Sequence, residues 1–175
     1  LAGVSPALTD ALLAAGTSAI AYETVEDTPG RLPLLAPMSA VAGNVAANVG
    51  CYFLAGFHGG RGILPGQVMG RPAGKAMVIG NGVVGQHAAR VLAGTGTRVY
   101  MFAPDRKSFD AMQFADPASM QYVESTPENL AQHIVDADLV IGAVLQLGAR
   151  APHVVSEAMV KSMQPGAVIV DVSID

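Results

Sequence analysis

The chain has no tryptophan, a single cysteine and little charge, with Asp, Glu, Lys and Arg making up 14% of its 175 residues. Cys51 has no partner for an internal disulfide, and we interpret it as a small hydrophobic core residue. A chain without disulfides suits a reducing compartment, so we expect a cytoplasmic location. The 10 Lys and Arg residues are scattered and the net charge is −4, which argues against a nucleic-acid partner.

No run of apolar residues is long enough to cross a membrane. The longest uncharged apolar stretch, Leu139–Ala149, is far shorter than the ~20 residues that a spanning helix needs, so no membrane partner is expected. The N-terminus has no basic segment followed by a cleavage site, and no signal peptide is predicted. Four histidines share no spacing with cysteine or paired carboxylates, so we expect no metal site; they are His58, His87, His133 and His153.

An alternation of strand and helix runs through the chain from Lys75 onwards. Hydrophobic runs predict strands at Ala76–Ile79, Arg98–Phe102, Gln121–Val123, Asp138–Ala143 and Ala167–Val172. Helices are predicted between them, at Val84–Ala93, Asp105–Gln113, Leu130–Val135 and Ser156–Ser162, the third opening on a capping box formed by Ser125 and Glu128. Strands separated by helices pair in parallel, so we predict an α/β fold with a doubly wound parallel sheet, the Rossmann fold.

The first part of the chain does not follow this alternation. Ser18–Tyr22 is predicted to form a buried strand, and Ser39 is predicted to cap a long helix over Ala40–Leu54. Val41, Val45, Val49 and Phe53 fall on one stripe of that helix, which we expect to be buried on more than one side. Residues 57–72 are rich in glycine and are predicted to form a loop.

One glycine motif carries chemistry. Gly80-Asn81-Gly82-Val83-Val84-Gly85 fits the pattern G-x-G-x-x-G and stands between a predicted strand and a predicted helix. The first glycine permits a tight turn, the second permits close approach of a pyrophosphate, and the third permits close packing of helix on strand. The free N–H groups at the helix N-terminus favour an anion there. The sequence therefore predicts dinucleotide binding.

The end of the second strand leaves the choice of dinucleotide open. An acidic residue there accepts a hydrogen bond from the ribose 2′-hydroxyl of NAD, but this chain has Ala103. Asp105 is a candidate substitute, displaced by two residues. Arg106 and Lys107 are alternatively candidates for binding the 2′-phosphate of NADP, or are solvated residues at the start of a helix. The sequence thus predicts NAD, with NADP possible.

Several stretches resemble alanine dehydrogenases and the related alpha subunit of proton-translocating transhydrogenase, the former more closely. The resemblance covers nearly the whole chain and rests on Ile20–Val25, Leu32–Ser39 with Val41–Gly43, Gly59–Gly62, Ala137–Leu145 with Gly148–Pro152, and Lys161–Val172. It implies NAD-dependent, reversible oxidative deamination of L-alanine to pyruvate and ammonia, by a protein that is usually hexameric. Asp175 matches the family's catalytic Asp. The expected cofactor-binding residues are Met38, Ser39, Gly80, Gly82, Val83, Val84, Gly85, Asp105, Arg106, Ser125, Val144, Leu145 and Val172.

Departures from the family lead us to expect an interior fragment. The family's substrate-binding Arg and Lys and its catalytic His would all precede Leu1, and family members continue beyond Asp175. We therefore predict that residues 1–39 are a remnant of the substrate domain, 40–56 a linking helix, and 57–175 a Rossmann domain that is incomplete at its C-terminal end. Such a chain would bind cofactor without turnover. The alternatives are an NADP-dependent relative, such as a carboxyethyl-amino-acid synthase, and a non-catalytic nucleotide-binding module.

Two basic residues are given structural interpretations. Lys75 is expected to be a solvated residue at the start of a strand. Arg61, which is flanked by glycines, is expected to bind a neighbouring backbone carbonyl.

Overall fold

The computed structural model describes residues 5–110, 120–145 and 153–173. The chain forms two compact units, Leu1–Pro37 and Met38–Asp175. None of the helices in these three described stretches is both long and apolar enough to span a membrane.

Residues 5–35 of the first unit include helix α1 (Pro6–Ala14) and a 3-10 turn at Tyr22–Thr24. Ser5 caps α1, since its side chain accepts a hydrogen bond from the Leu8 N–H at 3.4 Å. The strand predicted at Ser18–Tyr22 is wrong: these residues join no sheet of the described chain, and Ile20 is 84% exposed. Apolar composition alone does not form a strand without a neighbouring strand to complete its hydrogen bonds.

Helix α2 (Ala36–Leu54) begins four residues before its predicted start, so Ser39 lies inside the helix and not at its cap. Its buried face is made of small residues, Gly43, Ala46, Ala47 and Gly50, with Leu54 at the end. A Cβ on Gly50 would lie 2.5 Å from Leu139 Cδ1, so close approach depends on this glycine.

The valine stripe on α2 is exposed, contrary to the prediction. Val41, Val45 and Val49 are 62%, 53% and 38% exposed. Helix and sheet pack most closely where side chains are small, and the Gly/Ala face therefore takes the core position in the second unit.

The described residues of the second unit include a sheet of five parallel strands, which are β3 (Lys75–Ile79), β4 (Arg98–Ala103), β5 (Met120–Glu124), β6 (Leu139–Gly142) and β7 (Val168–Asp171). Their order in the sheet is β5-β4-β3-β6-β7. The helices between them are α3 (Val83–Gly94), α4 (Arg106–Asp110), α5 (Pro127–Ile134) and α6 (Glu157–Ser162). The predicted parallel α/β fold is confirmed.

An antiparallel hairpin precedes this sheet, within the segment predicted to be a loop. Its strands are β1 (Gly66–Val68) and β2 (Arg71–Ala73). Met69 and Gly70 form the turn with φ of 51° and 81°, the left-handed conformation that two-residue hairpin turns require. The prediction missed the hairpin because Met-Gly lacks the usual Asn or Asp before the glycine.

The sheet is covered on both faces because successive side chains of a strand point in opposite directions. On one face, Val78, Met101 and Ile141 join the small residues of α2 and α3 in one buried cluster. On the other face, Met77, Phe102 and Val140 pack with Leu130 and Ile134 of α5. The central strands are therefore mostly apolar after their first residues, as parallel strands buried on both faces are.

Candidate functional site

Most of the predicted site residues meet at one edge of the sheet. Gly80 follows β3, Asp105 follows β4, Ser125 follows β5, Val144 follows β6 and Val172 follows β7. Parallel strands end at the same edge, so the fold brings these residues to one side of the domain. The strand order reverses direction between β3 and β6, and ligands of doubly wound sheets bind at such a switch point.

Two glycines of the turn after β3 are required by the surrounding backbone. Gly80 has φ of 107°, and a Cβ there would overlap the carbonyl oxygen of Ala143 at the end of β6. A Cβ on Gly85 would overlap the carbonyl oxygen of Gly80. Because these two residues have no side chain, the end of β6 packs directly against the turn at Gly80, and the first turn of α3 packs directly against the Gly80 carbonyl.

Gly82 differs from the other two glycines of the motif. A Cβ built on it would meet no atom within 4 Å, and its φ of −69° is accessible to any residue. The folded chain itself therefore gives no steric reason for glycine at this position. The space that a side chain would fill adjoins the start of α3, where a ligand can approach the backbone.

The N-terminus of α3 provides the donors of the site. Gly82 is the N-cap residue and, being glycine, supplies no capping side chain. The first N–H groups of a helix have no partner within it; here they belong to Val83, which is 38% exposed, and the half-buried Val84. The arrangement is suited to binding an anion such as a pyrophosphate.

A serine that the sequence analysis did not single out connects the ends of β6 and β7. Ser173 Oγ accepts a hydrogen bond from the Val144 N–H at 3.2 Å, and the Ser173 N–H donates to Asp171 Oδ1 at 3.0 Å. Leu145, the next residue, is 60% exposed. Val172 is half-buried, and its N–H donates to the Gly142 carbonyl at 2.9 Å.

At the end of β4, Ala103 is fully buried and the first acidic residue is Asp105. Asp105 is exposed, and its Oδ1 accepts a hydrogen bond from the Ser108 N–H at 2.7 Å. Arg106 forms an ion pair with Asp110 at 2.7 Å, one helical turn further on. The Arg106 guanidinium also lies 5.4 Å from the centre of the Tyr122 ring, so this side chain already has partners within the protein.

Asn81 joins the glycine turn to α4, a contact that the sequence analysis missed. Its Nδ2 donates to Ser108 Oγ at 2.8 Å, and Ser108 Oγ donates to the Asp105 carbonyl at 2.9 Å. The Asn81 carbonyl in turn accepts from Gln86 Nε2 at 2.9 Å. The signal in the sequence was a polar residue at the variable position between two glycines of the motif.

Ser125 lies at the same edge but does not cap α5. Thr126 is the N-cap residue: its side chain accepts a hydrogen bond from the Asn129 N–H at 3.2 Å. The predicted capping box is wrong because Pro127 occupies the first helical position, which suits its fixed φ and missing N–H. The Ser125 N–H donates to the Ala103 carbonyl at 3.0 Å, which places Ser125 beside the end of β4.

The remaining predicted site residues are Met38, Ser39 and Asp175. Met38 and Ser39 lie near the start of α2, and Met38 is 42% exposed. A Cβ on Gly43 of the same helix would overlap the Val84 carbonyl oxygen, so α2 packs against the first turn of α3. Asp175 lies outside the described residues.

Lys75 and Arg61 lie near the opposite edge of the sheet. The Lys75 side chain is only 13% exposed, which corrects its interpretation as solvated. It donates to the His133 carbonyl at 3.0 Å and pairs with Asp136, because α5 ends beside the start of β3. The Arg61 guanidinium pairs with the Asp138 carboxylate and not with a backbone carbonyl, while the Arg61 N–H donates to the Gly166 carbonyl at 3.0 Å.

The chain is similar to known proteins over nearly its whole length. Residues 46–175 match the C-terminal domain of the alanine dehydrogenase/PNT family. The alanine dehydrogenase of Mycobacterium tuberculosis is 48% identical over 174 residues, which cover 98% of this chain and 46% of that protein. The alanine dehydrogenase of Mycolicibacterium smegmatis is 47% identical over 167 residues, which cover 95% and 45%.

Solved structures show the same relationship. An L-alanine dehydrogenase superposes with a TM-score of 0.89 at 39% identity, covering 99% of this chain and 48% of that one. A transhydrogenase from Sinorhizobium meliloti superposes with a TM-score of 0.66 at 27% identity, covering 80% and 40%. The chain thus spans slightly less than half the length of the curated relatives named above. The resemblance inferred from the sequence is confirmed, and the chain belongs to the alanine dehydrogenase/PNT family.

Proposed function

We propose that this chain is the nucleotide-binding part of an alanine dehydrogenase and that its cofactor is NAD. The observation that carries the proposal is the contrast within the glycine turn. Gly80 and Gly85 are needed by neighbouring protein atoms, whereas Gly82 faces open space at the N-terminus of α3. A glycine that no protein atom requires, at the N-terminus of a helix, leaves room for a ligand to approach the backbone.

The residues at the sheet edge have distinct tasks in this proposal. The N–H groups at the start of α3 hold the pyrophosphate. Val144, Leu145 and Val172 line the ends of β6 and β7, where apolar side chains exclude water from the nicotinamide ring. Bound NAD supplies a ring that accepts a hydride from the substrate carbon. Asp175, by its match to the family, helps to position the substrate and the water or ammonia.

NAD is favoured over NADP by the state of Arg106. Binding a 2′-phosphate would require its guanidinium, which is already paired with Asp110 and lies against Tyr122. Giving up this exposed ion pair would cost NADP binding about 0.5 kcal/mol or less, which favours NAD slightly. The runner-up function, an NADP-dependent relative such as a carboxyethyl-amino-acid synthase, rests on Ala103 together with exposed Lys107.

The reaction of the whole protein is part of the proposal. L-alanine, NAD⁺ and water would give pyruvate, ammonia and NADH. Residues outside this chain would bind and recognise the substrate. Residues 1–39 would belong to the substrate domain, and the protein would be a cytoplasmic hexamer. We expect the 175-residue chain to bind cofactor without oxidising alanine, because hydride transfer needs both lobes around the substrate.

Calorimetric titration with NADH and, separately, with NADPH tests the proposal. Tighter binding of NADH supports it, and tighter binding of NADPH transfers the assignment to the runner-up. A chain that is folded by circular dichroism but binds neither nucleotide contradicts both. Alanine-dependent formation of NADH by the purified chain would contradict the claim that it lacks turnover.

A further inference from the structure

Asn81, Ser108 and Asp105 form a chain of hydrogen bonds that connects the turn after β3 to the start of α4, which follows β4. Asn81 Nδ2 donates to Ser108 Oγ at 2.8 Å. Ser108 is bonded twice to Asp105, from its N–H to the carboxylate at 2.7 Å and from its hydroxyl to the carbonyl at 2.9 Å. The glycine turn and the start of α4 are therefore held together by the side chains of Asn81 and Ser108.

The location of this chain of bonds matters because of what binds there. In dinucleotide-binding folds the adenosine ribose lies between the glycine turn and the end of the second strand, where an acidic side chain accepts from its hydroxyls. Here that strand ends in Ala103, which is fully buried and has no acceptor in its side chain. The acceptor must come from another residue near the turn.

Asp105 meets this requirement better than the other acidic residues nearby. Asp110 is engaged by Arg106, and Glu124 ends β5, one strand further from the turn. Asp105 is exposed, and Ser108 occupies one site on its Oδ1. A carboxylate offers about four acceptor positions, so capacity for ribose hydroxyls remains.

We propose that Asp105 selects NAD by accepting from the ribose and repelling a 2′-phosphate, and that Asn81 is a positioning residue that holds Asp105 through Ser108. This inference rests on the proposed binding of a dinucleotide at the glycine turn. Asp105 is exposed and lies two residues beyond the end of β4, so hydrogen bonds are needed to hold its carboxylate in one orientation towards the ribose. Two bonds from Ser108 fix the backbone and the carboxylate of Asp105 together.

The test is the ratio of NADPH to NADH dissociation constants, measured by calorimetry on the 175-residue chain and five variants. Asp105→Asn keeps the acceptor for the Ser108 N–H and removes only the charge, so the fold is preserved. We expect the ratio to fall about tenfold, which corresponds to about 1.4 kcal/mol. Glu124→Gln removes the same charge one strand away and is expected to leave the ratio unchanged.

The positioning role has its own variants. Asn81→Ala and Ser108→Ala remove the hydrogen bond from the glycine turn to the Ser108 hydroxyl but keep the bond from the Ser108 N–H to the Asp105 carboxylate. They are expected to lower the ratio in the same direction, by less than Asp105→Asn. Ser108→Thr keeps the hydroxyl and is expected to restore the wild-type ratio, which a merely structural loss would not do.

The outcomes separate the two proposals. If the wild-type chain binds NADH more tightly than NADPH but Asp105→Asn leaves the ratio unchanged, or Glu124→Gln lowers it equally, the selection by Asp105 is overturned. Wild-type ratios in both Asn81→Ala and Ser108→Ala overturn the positioning role. Absence of binding by the folded wild-type chain overturns the proposed function, and this inference with it.

Discussion

The guanidinium of Arg61 donates to the carboxylate of Asp138, a residue 77 positions later in the chain. The second oxygen of that carboxylate accepts from the Lys75 N–H at 2.8 Å. The Arg61 N–H donates to the Gly166 carbonyl, shortly before β7. One ion pair thus connects the glycine-rich segment after α2 to the starting edge of β3, β6 and β7.

Removal of Arg61 is expected to destabilise the second unit. Asp138 is 11% exposed in its side chain and Arg61 25%, so Arg61→Met leaves a nearly buried carboxylate without its cation. We expect a loss of about 2–3 kcal/mol in the free energy of unfolding, below the loss for a fully buried pair. Urea denaturation measures it. Lys161→Met, which breaks an exposed pair with Glu157, should cost about 0.5 kcal/mol or less; equal losses would contradict a special role for Arg61.

Alanine substitutions at Gly85 and Gly82 should affect different properties of the protein, the first its stability and the second its binding of NADH. Gly85→Ala places a methyl group onto the Gly80 carbonyl oxygen and should lower stability by about 3 kcal/mol, as overpacking does. Gly82→Ala meets no protein atom and should change stability by about 1 kcal/mol or less, the range for an N-cap residue. Its effect should appear in NADH binding, which we expect to weaken at least about tenfold. Unchanged NADH affinity in Gly82→Ala would remove the main support for the nucleotide site.

His133 should make stability depend on pH. Burial lowers the pKa of its imidazole below the ordinary value of 6.5, and the Lys75 ammonium lowers the pKa further, against an opposing effect of Asp136. The folded state therefore disfavours the charged ring, whereas the unfolded chain binds a proton at its ordinary pKa. The neutral His133 ring contributes its full stabilisation above pH 6.5, and this stabilisation is lost as the pH falls through the lowered pKa of the folded state.

Urea midpoints at about pH 8 and about pH 5.5 measure this dependence. His133→Phe keeps a ring against Tyr100 and Phe102 but cannot titrate, and should reduce the difference between the two midpoints. A variant with the same or a larger difference would show that other groups cause the dependence.

Cys51 should be a poor nucleophile in the folded protein. Burial raises the pKa of its thiol, and its side chain, on α2, packs against the buried core. Because the thiolate is the reactive form, modification by an aromatic disulfide reagent should be slow in buffer and fast in urea. Equal rates in the two conditions would contradict the interpretation of Cys51 as an inert core residue.

The central sheet could be predicted because each strand carries its own evidence. Runs such as Ala76–Ile79 and Leu139–Gly142 are apolar throughout, and helical segments between them allow only parallel pairing. One error, the predicted cap of α5, fell where a local pattern has two solutions. Ser125 and Thr126 are both good caps, and the ring of Pro127 at the first helical position decided between them.

The candidate site also has a part that could be predicted from the sequence and a part that could not. The motif Gly80–Gly85 is local, and its position between a strand and a helix could be recognised from the sequence. The bridge from Asn81 to Ser108 joins residues 27 positions apart, and the hydrogen bond from Val144 to Ser173 joins residues 29 positions apart. Such contacts depend on which strands become neighbours, and no local pattern contains that information.

The sequence by itself therefore determined the fold class and the glycine turn, because periodicity and turn chemistry act over a few residues. The family followed from the resemblance of several longer motifs. Tertiary structure alone decided that Lys75 is withdrawn from solvent, that the Gly/Ala face of α2 and not its valine stripe enters the core, and that Arg61 pairs with Asp138. Each of these outcomes follows from close packing between segments that are distant in the chain, where the space and the charges available to a side chain are set by its neighbours.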